Sequence, residues 1–405
     1  MVLRKIRSFA LVATIVLVSG WVGYGVGVKQ SAVSSQQSAG GARADMGLFW
    51  TVWGRLEDQY LDPKAIDPKK MVYGAIEGMT QALGDPYTSF FPPTENTRSK
   101  EDLSGEFSGV GIQLGFVDKT LAVMSPLPDN PAIKAGIKAG DLIIRIKDEQ
   151  KKVDKDTNGI NINEAVDLIR GKSGTEVILT IYREKDKEPT KEFKLTRQTI
   201  LVPSVTLEWV GEKKNIPLLK VNKFGEKTAA EWDKSVKEIL AKKTGMGVVL
   251  DLRNNPGGYL QRAVDLGSEF IADGLIVSQA GKTETENFRV NRQGRFVGQN
   301  LVVLINKGSA SASEILAGAL RERVGAKLVG ENSFGKGTVQ EAEELPGGAG
   351  IHITIAKWLL PSGKNIHGEG LKPDVEVKYE VNEKDSKADN QLDKAIEVLL
   401  NNSKG

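Results

Sequence analysis

Two runs late in the chain, Gly247-Val248-Val249-Leu250-Asp251-Leu252 and Leu301–Ile305, are almost wholly apolar. A strand that alternates can leave one face in water, but a strand apolar on both faces has to be covered on both. Residues at helical spacing follow each run. After the first come Leu260, Ala263, Val264, Gly267 and Phe270; after the second comes a helix over residues 312–324, then a short strand, Lys327-Leu328-Val329. Strand–helix–strand alternation builds crossover units, so the chain from about Glu192 onward reads as α/β. Upstream, from Phe107 to about Arg183, the period changes. Val110, Ile112 and Leu114 alternate, as do Leu142, Ile144 and Ile146, and Val177, Leu179 and Ile181. Those are strands with one buried face, in a separate small β-rich domain. Two helices interrupt it, residues 132–139 and 163–170, the second with Ala165, Leu168 and Ile169 on its apolar face and Gly171 to Gly174 at its end.

The flanks are of different character. Residues 10–28 carry no charge, which is just long enough to span a bilayer, and Arg4, Lys5 and Arg7 precede them. This predicts an N-terminal transmembrane helix with the rest of the chain outside the cytoplasm of a bacterial cell. A cleaved signal segment is the alternative reading, although no clear small-x-small site follows. Residues 30–45 are rich in Ser, Gln, Ala and Gly and read as a linker. Residues 46–83 have helical apolar spacing (Leu48, Val52, Leu56, then Met71, Ala75, Met79, Leu83), broken by Pro63 and Pro68 and closed by Gly84-Asp85-Pro86. That arm is either a spacer or a dimerisation element. The charged tail after Asp374 ends in one helix, residues 391–400.

Composition removes whole classes of chemistry. A chain of 405 residues without a cysteine has no Cys-ligated metal, thiol nucleophile or disulfide. Two histidines, His352 and His367, nearly exclude a His-rich metal site, and no cofactor is expected. A net charge of +3 and 6% aromatic residues give no footprint for nucleic acid.

Three segments carry potential chemistry. In Gly308-Ser309-Ala310-Ser311-Ala312-Ser313-Glu314, between a buried strand and a helix, a serine hydroxyl sits at a helix N-terminus, where free N–H groups favour negative charge. The N–H of the next residue can serve a tetrahedral oxyanion. The same segment also reads as a capping box, Ser311-x-x-Glu314, which needs no catalysis. A serine nucleophile requires a base, and neither histidine has suitable company. A lysine kept neutral by burial can substitute. Lys336, in the Gly-flanked turn Phe334-Gly335-Lys336-Gly337-Thr338-Val339-Gln340, is the candidate, with Gln340 placed to orient its amine. A phosphate-binding loop is the rival reading of Gly330 to Lys336, but Gly337 stands where that motif needs Ser or Thr. The third segment, Asp251-Leu252-Arg253-Asn254-Asn255-Pro256-Gly257-Gly258, ends a strand in a Gly-Gly turn that allows close backbone approach, or is an ordinary strand–helix turn.

Taken in order with Asp85-Pro86-Tyr87-Thr88, Gly109-Val110-Gly111-Ile112, Ala135-Gly136-Ile137-Lys138-Ala139-Gly140-Asp141 and Pro361-Ser362-Gly363, these segments resemble the carboxyl-terminal processing peptidases, the tail-specific protease family. The likeness spans roughly residues 46–376. It implies a crotonase-like protease core with an inserted PDZ domain, and a serine with a lysine 25 positions later, which selects Ser311 and Lys336. Gln340 matches the third member found in part of the family. The likeness also implies an oxyanion hole from the N–H groups of Ala312 and of Gly257 or Gly258. Gly109, Val110, Gly111 and Ile112 would present N–H groups to a substrate's terminal carboxylate, and Arg170 resembles a residue that helps hold the active arrangement.

The expected division is 1–29 anchor or signal, 30–45 linker, 46–102 helical arm, 103–187 PDZ, 188–376 serine protease core and 377–405 tail. The expected function is a serine endopeptidase that grips carboxyl termini, acts outside the cytoplasm and pairs as a homodimer. A catalytically inactive PDZ adaptor and a crotonase-type acyl-CoA enzyme are the alternatives.

Overall fold

The computed structural model describes residues 44–402, apart from 128, 184–185, 187–188, 243–244, 246 and 381–387. The charge-free stretch 10–28 and most of the linker lie outside the described residues. The chain divides into two compact units, residues 1–72 and 73–405.

In the first unit, helix Gly47–Gln59 is followed by a single helical turn, Pro63–Ala65, capped by Asp62, and by the start of helix Pro68–Gln81. Pro63 and Pro68 each stand at the first position of their element, where a missing N–H costs nothing. No residue of Gly47–Gln59 is buried; Leu48, Trp50, Val52 and Leu56 are all exposed.

The second unit is built around a six-stranded sheet in the order Val205–Val210, Ile216–Val221, Val248–Asp251, Leu301–Ile305, Lys327–Gly330, Val375–Glu376. The first pair is antiparallel and the others are parallel. Both faces are covered, as the continuous apolar runs require. Leu250, Val303 and Ile305 join the main core with Trp232, Ile315 and Leu316 from the helices on one face. The alternate residues Val249, Val302 and Leu304 pack against Ala395 and Leu399 of the last helix, Asn390–Asn402, on the other. A second, antiparallel sheet is formed by Ser89–Phe91, Gly350–Leu359, Leu275–Gly281 and Thr285–Arg289, with Thr338–Glu344 also paired to Gly350–Leu359.

Strands Ile112–Val117, Thr120–Pro126, Leu142–Asp148, Val153–Asp156, Glu176–Tyr182 and Thr190–Thr196 make a separate sheet with its own core, including Val123, Ile146, Leu179 and Ala165. The chain enters it along Glu106–Gly109 and leaves along Gln198–Leu201, and those two strands pair antiparallel. Entry and exit at one place are what an inserted module needs.

Some local expectations differ from the structure. Val110 does not continue a strand with Ile112: Gly111 turns the chain at φ 74° and separates Glu106–Gly109 from Ile112–Val117. The helix expected over 132–139 stops after Pro131–Lys134, because Gly136 takes φ 86°. Helix Pro93–Ser104 was hidden by Pro92-Pro93, which reads as a breaker although Pro93 opens the helix. Helix Thr228–Lys242 was also unforeseen.

Candidate active site

Strand Leu301–Ile305 delivers the serine segment to the edge of a cleft of about 700 Å³. Three serines arrive together, and packing separates them. Ser309 is fully buried and donates its hydroxyl to the Leu252 carbonyl at 2.8 Å; Ser313, equally buried, donates to the Asn255 carbonyl at 2.9 Å. Ser311 lines the cleft, immediately before helix Ala312–Val324. Its backbone is held at φ 56°, ψ −117°, outside the regions an L-residue ordinarily adopts. Strain of this kind costs on the order of 1–3 kcal/mol and persists where the surroundings over-determine it. Here the surroundings are the Ser309 and Ser313 bonds on either side and the carboxylate of Glu314, which accepts from the Ser311 N–H at 2.8 Å.

The Gly-Gly turn packs against this corner. A Cβ on Gly257 would come within 2.8 Å of the Ser311 Cβ and 3.1 Å of the Ala312 nitrogen, so only glycine fits there. The Gly257 N–H is already engaged, donating to the Asn255 side-chain oxygen at 2.9 Å. Among the described residues the N–H groups of Gly258 and Ala312 make no hydrogen bond, and Gly258 lines the cleft.

Lys336 enters from the other side. Its N–H donates to Glu314 at 2.9 Å, its carbonyl accepts from the Trp358 indole at 2.8 Å, and Gly335 turns the chain before it at φ 92°. The ammonium nitrogen lies 4.9 Å from the centroid of the Tyr87 ring. Burial pushes its pKa below the ordinary lysine value, against the opposing pull of Asp85. Asp85 is itself held below the usual carboxylate range: burial works to raise it, but hydrogen bonds from Thr354, Thr88 and the Tyr87 backbone outweigh that. Gln340 also lines the cleft. Its amide nitrogen donates to Thr338 at 2.9 Å and to Thr354 at 3.0 Å, which fixes the side chain and leaves its carbonyl oxygen as acceptor.

Ser311, Lys336, Gln340, Gly258 and Ala312 are thus brought to one place. Lys336 Nζ and Ser311 Oγ make no direct hydrogen bond in this arrangement, in which the amine lies over the Tyr87 ring. His352 was not expected here. It lines the same cleft with its ring 4.5 Å from that of Phe91, and burial, then the nearby Lys336 charge, lowers its pKa. Asp85 was legible as part of a turn, Asp85 and Tyr87 together as a landmark of the resemblance, and Glu314 as a cap, none of them with a place at the site. Their roles depend on contacts between distant segments.

A second groove, of about 130 Å³, lies beside helix Ile162–Ile169 of the inserted module. Gly109, Val110, Gly111 and Ile112 line it together with Ile162, Val166 and Arg170. Arg170 lies beyond the helix end. Its guanidinium stacks 4.4 Å over Phe107 and donates to Glu101 of helix Pro93–Ser104 at 3.1 Å. The same helix contributes Glu95, Arg98 and Asp102 to the wall of the larger cleft, and Arg98 pairs with Asp167 of the module.

The chain is similar to known proteins. Residues 215–377 match peptidase family S41 and residues 108–195 match the PDZ domain. The chain is 36% identical over 348 residues to the carboxy-terminal processing protease CtpA of Bacillus subtilis, covering 86% of this chain and 72% of that one. It is 38% identical over 312 residues to a probable CtpA-like serine protease of Staphylococcus haemolyticus, covering 76% of this chain and 60% of the relative. Among solved structures, the photosystem II D1 C-terminal processing protease aligns with a TM-score of 0.51 at 28% identity, over 87% of this chain and 96% of that one.

Proposed function

The chain belongs to the S41 peptidases, and from that premise we propose that it hydrolyses peptide bonds with Ser311 as nucleophile and Lys336 as general base. It is a serine-type, C-terminal processing peptidase, and its PDZ domain binds the carboxyl termini of substrates. The observation that carries the site assignment is the corner at residue 311. One serine of three is strained, exposed to the cleft and followed by an N–H with no other partner, and it shares that cleft with a lysine whose burial favours the neutral amine.

The reaction follows from these groups. Neutral Lys336, swung from Tyr87 toward Ser311, takes the hydroxyl proton as Oγ attacks the scissile carbonyl carbon. The oxygen that becomes negative is met by the N–H groups of Ala312 and Gly258; Gly258 is preferred to Gly257 because the Gly257 N–H is engaged by Asn255. The lysinium returns its proton to the leaving amine as the C–N bond breaks. Water, deprotonated by Lys336, then attacks the acyl-enzyme and frees Ser311. Gln340, held by two threonines, orients the amine.

The PDZ groove would take the terminal carboxylate on the N–H groups around Gly109 to Ile112, with the peptide pairing as an added strand. Arg170, between that groove and the helix walling the cleft, is placed to make turnover depend on the module. The charge-free segment 10–28 supports a membrane anchor with the catalytic part outside the cytoplasm of a bacterial cell, or export if that segment is removed. The uncovered apolar stripe of helix Gly47–Gln59 supports a homodimer. The test is incubation of the chain with an unfolded protein beside Ser311→Ala and Lys336→Ala. Cleavage by the wild type alone supports the assignment, and cleavage by either variant at the wild-type rate refutes it.

A further inference from the structure

Glu314 is fully buried, and among the described residues no Lys or Arg side chain pairs with it. A buried carboxylate without a cation is expensive unless hydrogen bonds replace its hydration. Four do. One oxygen accepts from the N–H of Ser311 at 2.8 Å and from the N–H of Lys336 at 2.9 Å. The other accepts from the N–H of Gly335 at 2.7 Å and from the Ser333 hydroxyl at 2.5 Å.

A helix cap requires only the first of these. The other three belong to the segment Ser333 to Lys336, which comes from a different part of the chain. A single oxygen therefore touches the main-chain amides of both Ser311 and Lys336. The two nitrogens cannot lie further apart than the sum of those two short distances. Bonds from N–H groups to a charged carboxylate are shorter and stronger than neutral ones. A carboxylate is also the side chain able to accept twice on each oxygen, whereas an amide of the same shape offers one accepting oxygen and one donating nitrogen.

We propose that Glu314 is a positioning residue for the peptidase reaction, fixing the spacing between the segment that carries the nucleophile and the segment that carries the base. This rests on the assignment of Ser311 and Lys336 above. Glu314 does not touch the reacting atoms; it acts through the main chains of the two residues that do. Loss of its second function should leave substrate binding intact and slow the chemistry, because misplacement by about 1 Å costs on the order of 100-fold.

The test uses the full chain and a fluorogenic peptide with a free, apolar carboxyl terminus. In Glu314→Gln, which keeps the shape and turns half of the acceptor set into donors, kcat is expected to fall about 100-fold while KM stays within about threefold. Thermal melts report any capping loss separately. Wild-type kcat per folded molecule, with only a lowered Tm, would make Glu314 a cap and overturn the proposal. If Glu314→Gln does not fold, Ser333→Ala decides. It leaves the carboxylate and three of its bonds but also removes the acceptor of the Leu371 N–H, so kcat is read per folded molecule beside Tm, and a fall of about tenfold at unchanged KM is expected for the lost bond to a charged group. An unchanged kcat there overturns the proposal. Ser311→Ala, run alongside, separates the two failures: cleavage by that variant at the wild-type rate would sink the dyad and with it the premise of the Glu314 proposal, whereas an inactive Ser311→Ala beside an unchanged Glu314→Gln overturns the Glu314 proposal alone.

Discussion

The reactivity assigned to Ser311 depends on one proton leaving Lys336. Burial lowers the pKa of that amine and Asp85 pulls it back up, so the two effects set the pH at which the base becomes available. Under the proposed mechanism the neutral form is the active one. Activity is therefore expected to rise with pH through the lowered Lys336 pKa and to be lost on acidification below it, in a kcat profile taken against pH. Asp85→Asn removes the opposing charge, and the acid limb should move to lower pH; a limb that stays in place or moves up would exclude Asp85 as the group that holds the amine protonated. Replacing the base by Lys336→Ala should cost about 100-fold to 10,000-fold in kcat, the range for a positioned acid–base group. At Gly257 the constraint is steric. A methyl group there meets the Ser311 Cβ at 2.8 Å, and Gly257→Ala also forces an alanine to φ 103°. Loss of about 100-fold in kcat is expected, since the nucleophile and the Ala312 N–H would both shift.

At the scale of elements, the last helix is a lid on the far face of the parallel sheet. Leu399 is fully buried against Val249, Val302 and Leu304. Leu399→Ala should destabilise the chain by about 2–5 kcal/mol in a denaturant melt while leaving turnover per folded molecule unchanged. The strand that leads to the Gly-Gly turn is tied to this helix region through Arg253, which bonds Asp251 at 2.7 Å and Asp389 at 2.8 Å. The helix Pro93–Ser104 joins other parts. Glu101 takes the Arg170 guanidinium from the PDZ side while Asp102 and Glu95 face the cleft. Arg170→Ala is expected to lower kcat with little change in the affinity for a carboxyl-terminal peptide, measured by fluorescence polarisation on the full chain. A fall in affinity with unchanged kcat would assign Arg170 to the groove alone.

Helix Gly47–Gln59 buries none of its residues, and Leu48, Val52 and Leu56, four residues apart, leave one apolar stripe exposed. A stripe of that kind is stable in water when another surface covers it. Leu48→Ser with Val52→Ser should shift a dimer toward monomer in sedimentation velocity; an unchanged sedimentation coefficient would remove this stripe from the interface. The insertion of the PDZ module has a related logic. Its core is closed on itself, and its two connecting strands pair, so the module adds a binding groove without opening the core of the protease.

Much of this architecture was written locally. Runs such as Leu301–Ile305 have to be buried on both faces whatever surrounds them, and helix Ala312–Val324 has its cap and its apolar residues in its own sequence. The segments bearing Ser311, Lys336 and the Gly-Gly turn could be picked out because each breaks a regular pattern at the end of a strand. What the sequence could not contain was which of these groups would face one another. That Ser309 and Ser313 turn inward, that His352 joins the cleft, and that one carboxylate grips both Ser311 and Lys336 are consequences of strands pairing across long separations. Hydrogen bonds and burial act over a few ångströms of space and not along the chain, so only the folded arrangement decides them.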